Sequence, residues 1–104
     1  MNLNEYQMLA MRFRLPSANE DYAIMNLAGE AGEVLSLRAK AIRDGVVYSE
    51  FQNNLMKELG DVLWHVAAVA DDYDISLRDI ATNNLLKLES RKARNVIQGN
   101  GDNR

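Results

Sequence analysis

Apolar residues recur along this chain at intervals of three and four, the period of a helix, and no alternating strand pattern runs beyond a few residues. With a single proline in 104 residues, the pattern predicts an all-α fold of four helices, over residues 4–13, 18–43, 50–72 and 77–94. The first helix stops short of Pro16, because the residue before proline is pushed out of the helical region. The second ends at Asp44 and Gly45, a left-handed cap. Each start carries a capping-box pair, Asn4 with Gln7, Ser17 with Glu20, Ser49 with Gln52 and Ser76 with Asp79. Residues 1–98 read as one domain, and 99–104, Gly-Asn-Gly-Asp-Asn-Arg, as a tail without periodicity.

On the third helix, Phe51, Leu55, Leu59, Val62, Val66, Val69 and Tyr73 fall along one stripe at about 100° per residue, and this stripe is the expected core. From Val62 to Ala70 every residue except His65 is apolar, so this half of the helix needs cover on all sides. Four short helices cannot supply it, and a domain of this size buries only about two-thirds of its unfolded surface. A homo-oligomer follows as an expectation, with the third helix, Trp64 included, near the interface. Gly29, Gly32 and Gly60 fall inside helices, where each costs roughly 1 kcal/mol against alanine. They serve either close helix packing or room for a ligand beside neighbouring carboxylates.

Composition narrows the function. The apolar share is 47% and the charged share 26%, ordinary for a globular domain, and no apolar run approaches the ~20 residues of a membrane span. There is no cysteine, which excludes disulfide and thiol chemistry. The stretch from Met1 to Gln7 lacks the basic-then-apolar order of a secretory signal, so a cytoplasmic location is expected. Net charge is −3, which argues against non-specific nucleic-acid binding. From Lys87 onward there are five basic residues and two acidic ones, so this end is +3 and the remainder −6. The basic end could dock on the acidic body, or it could grip phosphates that metal-loaded carboxylates also hold.

Two acidic pairs carry the candidate chemistry. Glu30-x-x-Glu33 lies on the second helix and Glu58-x-x-Asp61 on the third. Residues three apart on a helix lie within about 5–6 Å at Cβ, so each pair projects its oxygens together. These acids border apolar surface, where unpaired charge is expensive. A lone pair of this kind is commonly a solvated face. Two pairs on consecutive helices repel strongly if they face each other, and a hard divalent cation, magnesium above all, would neutralise them.

The spacing Glu30-x-x-Glu33, 24 residues, Glu58-x-x-Asp61 resembles the signature of the MazG-like members of the all-alpha nucleoside triphosphate pyrophosphohydrolases. The likeness includes Leu27-Ala-Gly-Glu-Ala-Gly-Glu-Val, Lys57-Glu-Leu-Gly-Asp-Val-Leu-Trp, Glu5-Tyr-Gln7 and Asn84-x-x-Lys87-Leu-x-x-Arg91, and so covers nearly the whole chain. It implies a four-helix bundle-like fold assembled as a homodimer or homotetramer. It also implies Mg2+, with Mn2+ able to substitute, held by Glu30, Glu33, Glu58 and Asp61. The implied reaction is hydrolysis of an NTP or dNTP between the α and β phosphates to the monophosphate and pyrophosphate. Glu30 or Glu33 would take the proton from water. This chain has one such domain where some relatives have two.

Asn84, Lys87 and Arg91 stand at i, i+3 and i+7 on the fourth helix, one narrow stripe. Arginine can clamp phosphate oxygens in two places and lysine supplies a point charge, though cations near a helix C-terminus also simply suit its dipole. Lys40 is a further phosphate candidate on the Glu33 face. His65, the single histidine, either contacts a base or a water, or is a hydrogen-bonded packing residue. The tail either folds over bound nucleotide or is a disordered terminus. A rival from another class is a non-enzymatic helical adaptor or regulatory bundle whose acids bind a structural cation.

Overall fold

A computed structural model describes residues 1–104. It is all-helical: α1 (Leu3–Met11), α2 (Glu20–Asp44), α3 (Tyr48–Asp72) and α4 (Leu77–Ala93). None of these helices is long and apolar enough to cross a membrane. The four expected helices are all present, with ends shifted by one or two residues. Their caps differ more.

Only Ser76 caps as expected, its Oγ accepting from the Asp79 N–H at 3.0 Å. Asn2, not Asn4, caps α1 by accepting from the Glu5 N–H at 2.8 Å, and Asn19, not Ser17, caps α2 by accepting from the Tyr22 N–H at 3.0 Å. α3 begins after Val47 with no side-chain cap, so Ser49 and Gln52 have no such role. The displaced residues of α1 serve another helix. Asn4 Oδ1 accepts from the Arg78 N–H and Gln7 Oε1 from the Leu77 N–H, both at 3.1 Å. Together with Ser76 they satisfy the N–H groups that the first turn of α4 leaves without partners. Buried Gln7 also donates through Nε2 to the carbonyls of Ile75 and Ala67 at 3.0 and 3.3 Å, stitching α1 to both helices.

The architecture is an antiparallel hairpin of α2 and α3, each 25 residues and about 37 Å long, with the most extensive packing in the molecule. Gly45 makes the sharp reversal: it sits at φ 64°, a left-handed position that glycine adopts freely, and donates its N–H to the Ala41 carbonyl. α1 lies across α3 and α4, and α4 packs chiefly on α1. Arg14, just beyond α1, pins the α1–α2 connection to the end of α3. It forms a two-pronged ion pair with Asp72, both contacts at 2.8 Å, and donates to the Ala18 carbonyl at 2.7 Å. The hydrogen bond to Asp72 raises the Arg14 pKa further above its already high value, so the guanidinium stays charged.

The core differs from the expected stripe. Its centre is Ala67, Ala70 and Leu77, with Tyr6, Met11 and Val66 against it. Ala10, Ala23, Ala41 and Ala68 are buried as well, so the helices approach through small side chains. Of the stripe on α3, Leu59 and Tyr73 remain 50% exposed, and Phe51 lies beneath the Arg38 guanidinium at 5.1 Å from its ring centre. The reason is supply: with a radius of gyration of 16.5 Å, against about 13 Å for a compact 100-residue domain, one chain has too little surface to cover both sides of α3. Trp64, half-buried, donates its indole N–H to the Ala10 carbonyl at 3.1 Å.

Candidate active site

The hairpin brings three of the four predicted carboxylates together. Glu30 of α2 and Glu58 and Asp61 of α3 each offer an oxygen within 4.8 Å of the other two. Glu30 and Glu58 are half-buried and Asp61 is exposed. Glu33, one turn along α2, is exposed and stands outside this group. A Cβ built at Gly32 or Gly60 would meet nothing within 4 Å, so neither glycine is needed for close packing within the chain. Tyr6 of α1 feels the same cluster: burial first, and then the charge of Asp61, push its phenol above the ordinary value, keeping it protonated.

His65 lies one turn beyond Asp61 and is buried. Its Nδ1–H donates to the Asp61 carbonyl at 2.9 Å, while its Nε2 is 3.0 Å from the Asn26 carboxamide nitrogen. The ring meets Trp64 edge-on, centres 5.1 Å apart. Beside it opens a cavity of about 340 Å³ walled by Phe13, Leu15, Tyr22, Trp64 and His65. The packing reading of His65 and the ligand-contact reading therefore meet in one residue, hydrogen-bonded on both nitrogens yet forming a cavity wall. An aromatic-lined cavity, connected to the converging carboxylates through His65 and Asn26, can accommodate a flat heterocycle attached to an anionic chain.

A profile of the MazG nucleotide pyrophosphohydrolase domain matches residues 19–96, three-quarters of the chain and every acid just described. The chain belongs to the MazG nucleotide pyrophosphohydrolase family. A curated relative, the Gene 37 protein of Mycobacterium phage L5, is 49% identical over 85 residues, which cover 80% of this chain and 75% of the phage protein. No solved structure matches the chain.

In this MazG domain the cationic stripe of the fourth helix is not brought onto the acids. α4 packs chiefly on α1, and its cations meet the chain's own tail. Arg91 is only 5% exposed; its Nη2 donates to the carbonyls of Asp102 and Gly101 at 2.8 and 3.4 Å, and its Nε has no partner. Lys87 Nζ lies 3.4 Å from Asp102 Oδ1, and its charge is the main reason the Asp102 carboxyl falls below its ordinary value of 3.8. Arg104 closes the tail by donating to the carbonyls of Gly101, Ile97 and Val96 at 2.6, 2.7 and 3.0 Å. The tail is thus folded onto α4. Asn84 and Lys87 still border an open cavity of about 380 Å³, and Lys40 is exposed on α2, where its charge reaches Asp44.

The donor set of the MazG site suits a hard divalent cation: three carboxylates with oxygens close together and no nitrogen or sulfur ligand among them. Two features of this region carry little or no signal in the sequence. The aromatic wall is assembled from residues far apart in the chain, so no local pattern announces it. Asn26 had a local signal, lying four residues before Glu30 and therefore on the same helix face.

Proposed function

We propose that this MazG domain hydrolyses a nucleoside triphosphate, NTP or dNTP, between its α and β phosphates, giving the monophosphate and pyrophosphate. The observation that carries this reading is the convergence of Glu30, Glu58 and Asp61 from two helices, linked through Asn26 and His65 to an aromatic cavity, in a chain of this family. These three residues would hold Mg2+, for which Mn2+ can substitute. Bound there, the cation supplies neutralisation of phosphate charge and stabilisation of the departing pyrophosphate.

The remaining roles belong to the protein's own groups. Glu33, exposed and outside the three-carboxylate group, keeps its lone pairs for a proton and is the better candidate for general base than Glu30, whose oxygens are committed to the cluster. Water adds to the α phosphorus, the bond to the bridging oxygen breaks, and the proton of the water passes to Glu33. The base occupies the cavity against Trp64, Tyr22 and Phe13, with His65 as one wall. Asn84, Lys87, Arg91 and Lys40 are the candidate cations and donors for the phosphates.

A homodimer or homotetramer accompanies this reading. Two observations support it: Leu35, Ile42 and Met56 on the long hairpin, like Leu85 and Leu86 on α4, remain largely exposed in the single chain, and α4 is not packed against the acids of its own chain. A second copy would cover the apolar faces and could bring its own fourth helix to the site. The setting proposed for the reaction is the cytoplasm.

The test is a panel of ribo- and deoxynucleoside triphosphates assayed for pyrophosphate release with Mg2+ and with a chelator. Release of pyrophosphate and monophosphate in equal amounts, abolished by the chelator, is the expected outcome. Failure to turn over any member of the panel at saturating Mg2+ would overturn the reading in favour of a binding module.

A further inference from the structure

The acidic cluster and the aromatic cavity are joined by a closed circuit of polar contacts in which one residue, Asn26, is common to both. Its carboxamide nitrogen lies 3.0 Å from His65 Nε2, 3.4 Å from the Tyr22 hydroxyl and 3.5 Å from Glu30 Oε1. Tyr22 and His65 are cavity walls, and Glu30 is one of the three converging carboxylates.

The direction of each bond follows from elementary donor and acceptor chemistry. The Asp61 carbonyl can only accept, so the His65 Nδ1 facing it at 2.9 Å carries the proton. In the neutral ring Nε2 is then an acceptor, and Asn26 must turn its NH2 group, not its oxygen, toward the histidine. One N–H goes to the imidazole, and the other is left to the longer, shared contacts with Tyr22 and Glu30. The amide oxygen points the opposite way, to the open side of Gly29, where an added Cβ would lie 3.1 Å from it. The missing side chain of Gly29 thus makes room for the orientation that the histidine demands. The circuit runs from Asp61 through His65 and Asn26 to Glu30, beginning and ending on residues of the acidic cluster and tying α2 to α3.

We propose that Asn26 is a positioning residue that sets the cavity in register with the acidic cluster, so that a nucleotide with its base against Trp64 and His65 presents its phosphates to Glu30, Glu58 and Asp61. This rests on the hydrolase reading above. It also assigns His65 a passive part: with both nitrogens engaged, its ring offers a surface to the base and no hydrogen bond, and the cavity selects by shape and stacking at that wall.

The experiment compares wild type with Asn26→Leu, similar in size but without donors, in two measurements. Long-range 1H–15N spectra of the metal-free protein, taken at a pH where the histidine is neutral, should show Nδ1 protonated and Nε2 bare in both proteins, because the Asp61 carbonyl holds that tautomer in each, with the Nε2 resonance displaced downfield in Asn26→Leu by the loss of its hydrogen bond. Steady-state kinetics with Mg2+ should show KM raised about tenfold, as is usual when a group behind the site is removed, with kcat changed less than about threefold. Unchanged spectra would mean that the amide–imidazole bond does not exist, and an unchanged KM would mean that the bond positions nothing; either overturns the proposal. A fall in kcat at constant KM also overturns it, by moving Asn26 into the chemical step. Should Asn26→Leu lose helicity by circular dichroism, Asn26→Asp carries the same test, since a carboxylate of equal size cannot donate to His65 or Glu30. A wild type with no turnover sinks the hydrolase reading and this proposal with it, whereas an active wild type alongside unaltered variants sinks only the proposal.

Discussion

The long hairpin and the fourth helix make opposite use of charge. In the hairpin, Glu30, Glu58 and Asp61 crowd together with no basic side chain paired to any of them and with open space beside Gly32 and Gly60. On α4, Arg91 and Lys87 are already answered by Asp102 and by the carbonyls of the tail. One region is left uncompensated and therefore poised for an external cation. The other is compensated from within, and a phosphate arriving there must compete with the protein's own carboxylate. A cluster of charge becomes a ligand site only where the fold declines to neutralise it.

The largest effect that sharpens this contrast lies in the acids. Glu33→Gln should lower the rate of pyrophosphate release at least about a hundredfold, as loss of a general base does, while leaving the stabilisation of the protein by Mg2+ intact. Asp61→Asn should lose turnover and that stabilisation together. Neither should reduce helicity, because removing one of several like charges relieves repulsion. If Glu33→Gln also abolishes the response to Mg2+, then Glu33 is a fourth ligand and not the base.

Next in size is the cation itself. Thermal unfolding followed by circular dichroism should shift upward on adding Mg2+ and return with a chelator, since a ligand at about a hundred times its Kd stabilises the native state by about 2.7 kcal/mol. The basic region should show no comparable gain from Mg2+. A melting temperature indifferent to Mg2+ would erase the difference between the two regions.

The smallest effect concerns the tail. Asp102 is held below its ordinary 3.8 by Lys87 and Arg91, so its contact is complete above that value and is lost only as pH falls through the lowered one. Amide exchange of residues 99–104 should therefore be steady from neutral pH down to about 4, after the intrinsic pH dependence is removed, and accelerate below it. In Asp102→Asn the acid-induced step should vanish. A tail that exchanges freely at neutral pH would show that α4 is not compensated from within after all.

Much of the architecture was legible along the chain because it depends on local periodicity. Four helices, the reversal at Gly45 and the Ser76 cap follow from residues within a turn or two of one another. Asn4 and Gln7 were misread for an instructive reason. Each has the side chain of a helix cap, and each does cap a helix, but the helix is α4, 74 and 70 positions away. The α3 stripe was misjudged for a related reason, since periodicity marks which face is apolar and says nothing about how much partner surface exists to cover it. Within the site, the four acids were visible as pairs at helical spacing, whereas the aromatic cavity, Arg14 with Asp72, and the link from Asn26 to His65 join residues 39 to 58 positions apart.

The sequence by itself determined the helical class, the acidic pairs and the family, because these reside in spacing along a helix and in the identity of side chains. The tertiary structure alone decided that Glu30 meets Glu58 and Asp61 while Glu33 stands apart, and that Arg91 faces its own tail. Those outcomes turn on rotation of one helix against another by a fraction of a turn. Such a rotation is fixed by buried alanines, a glutamine bridging three helices and an arginine clamp, through contacts that no local pattern encodes.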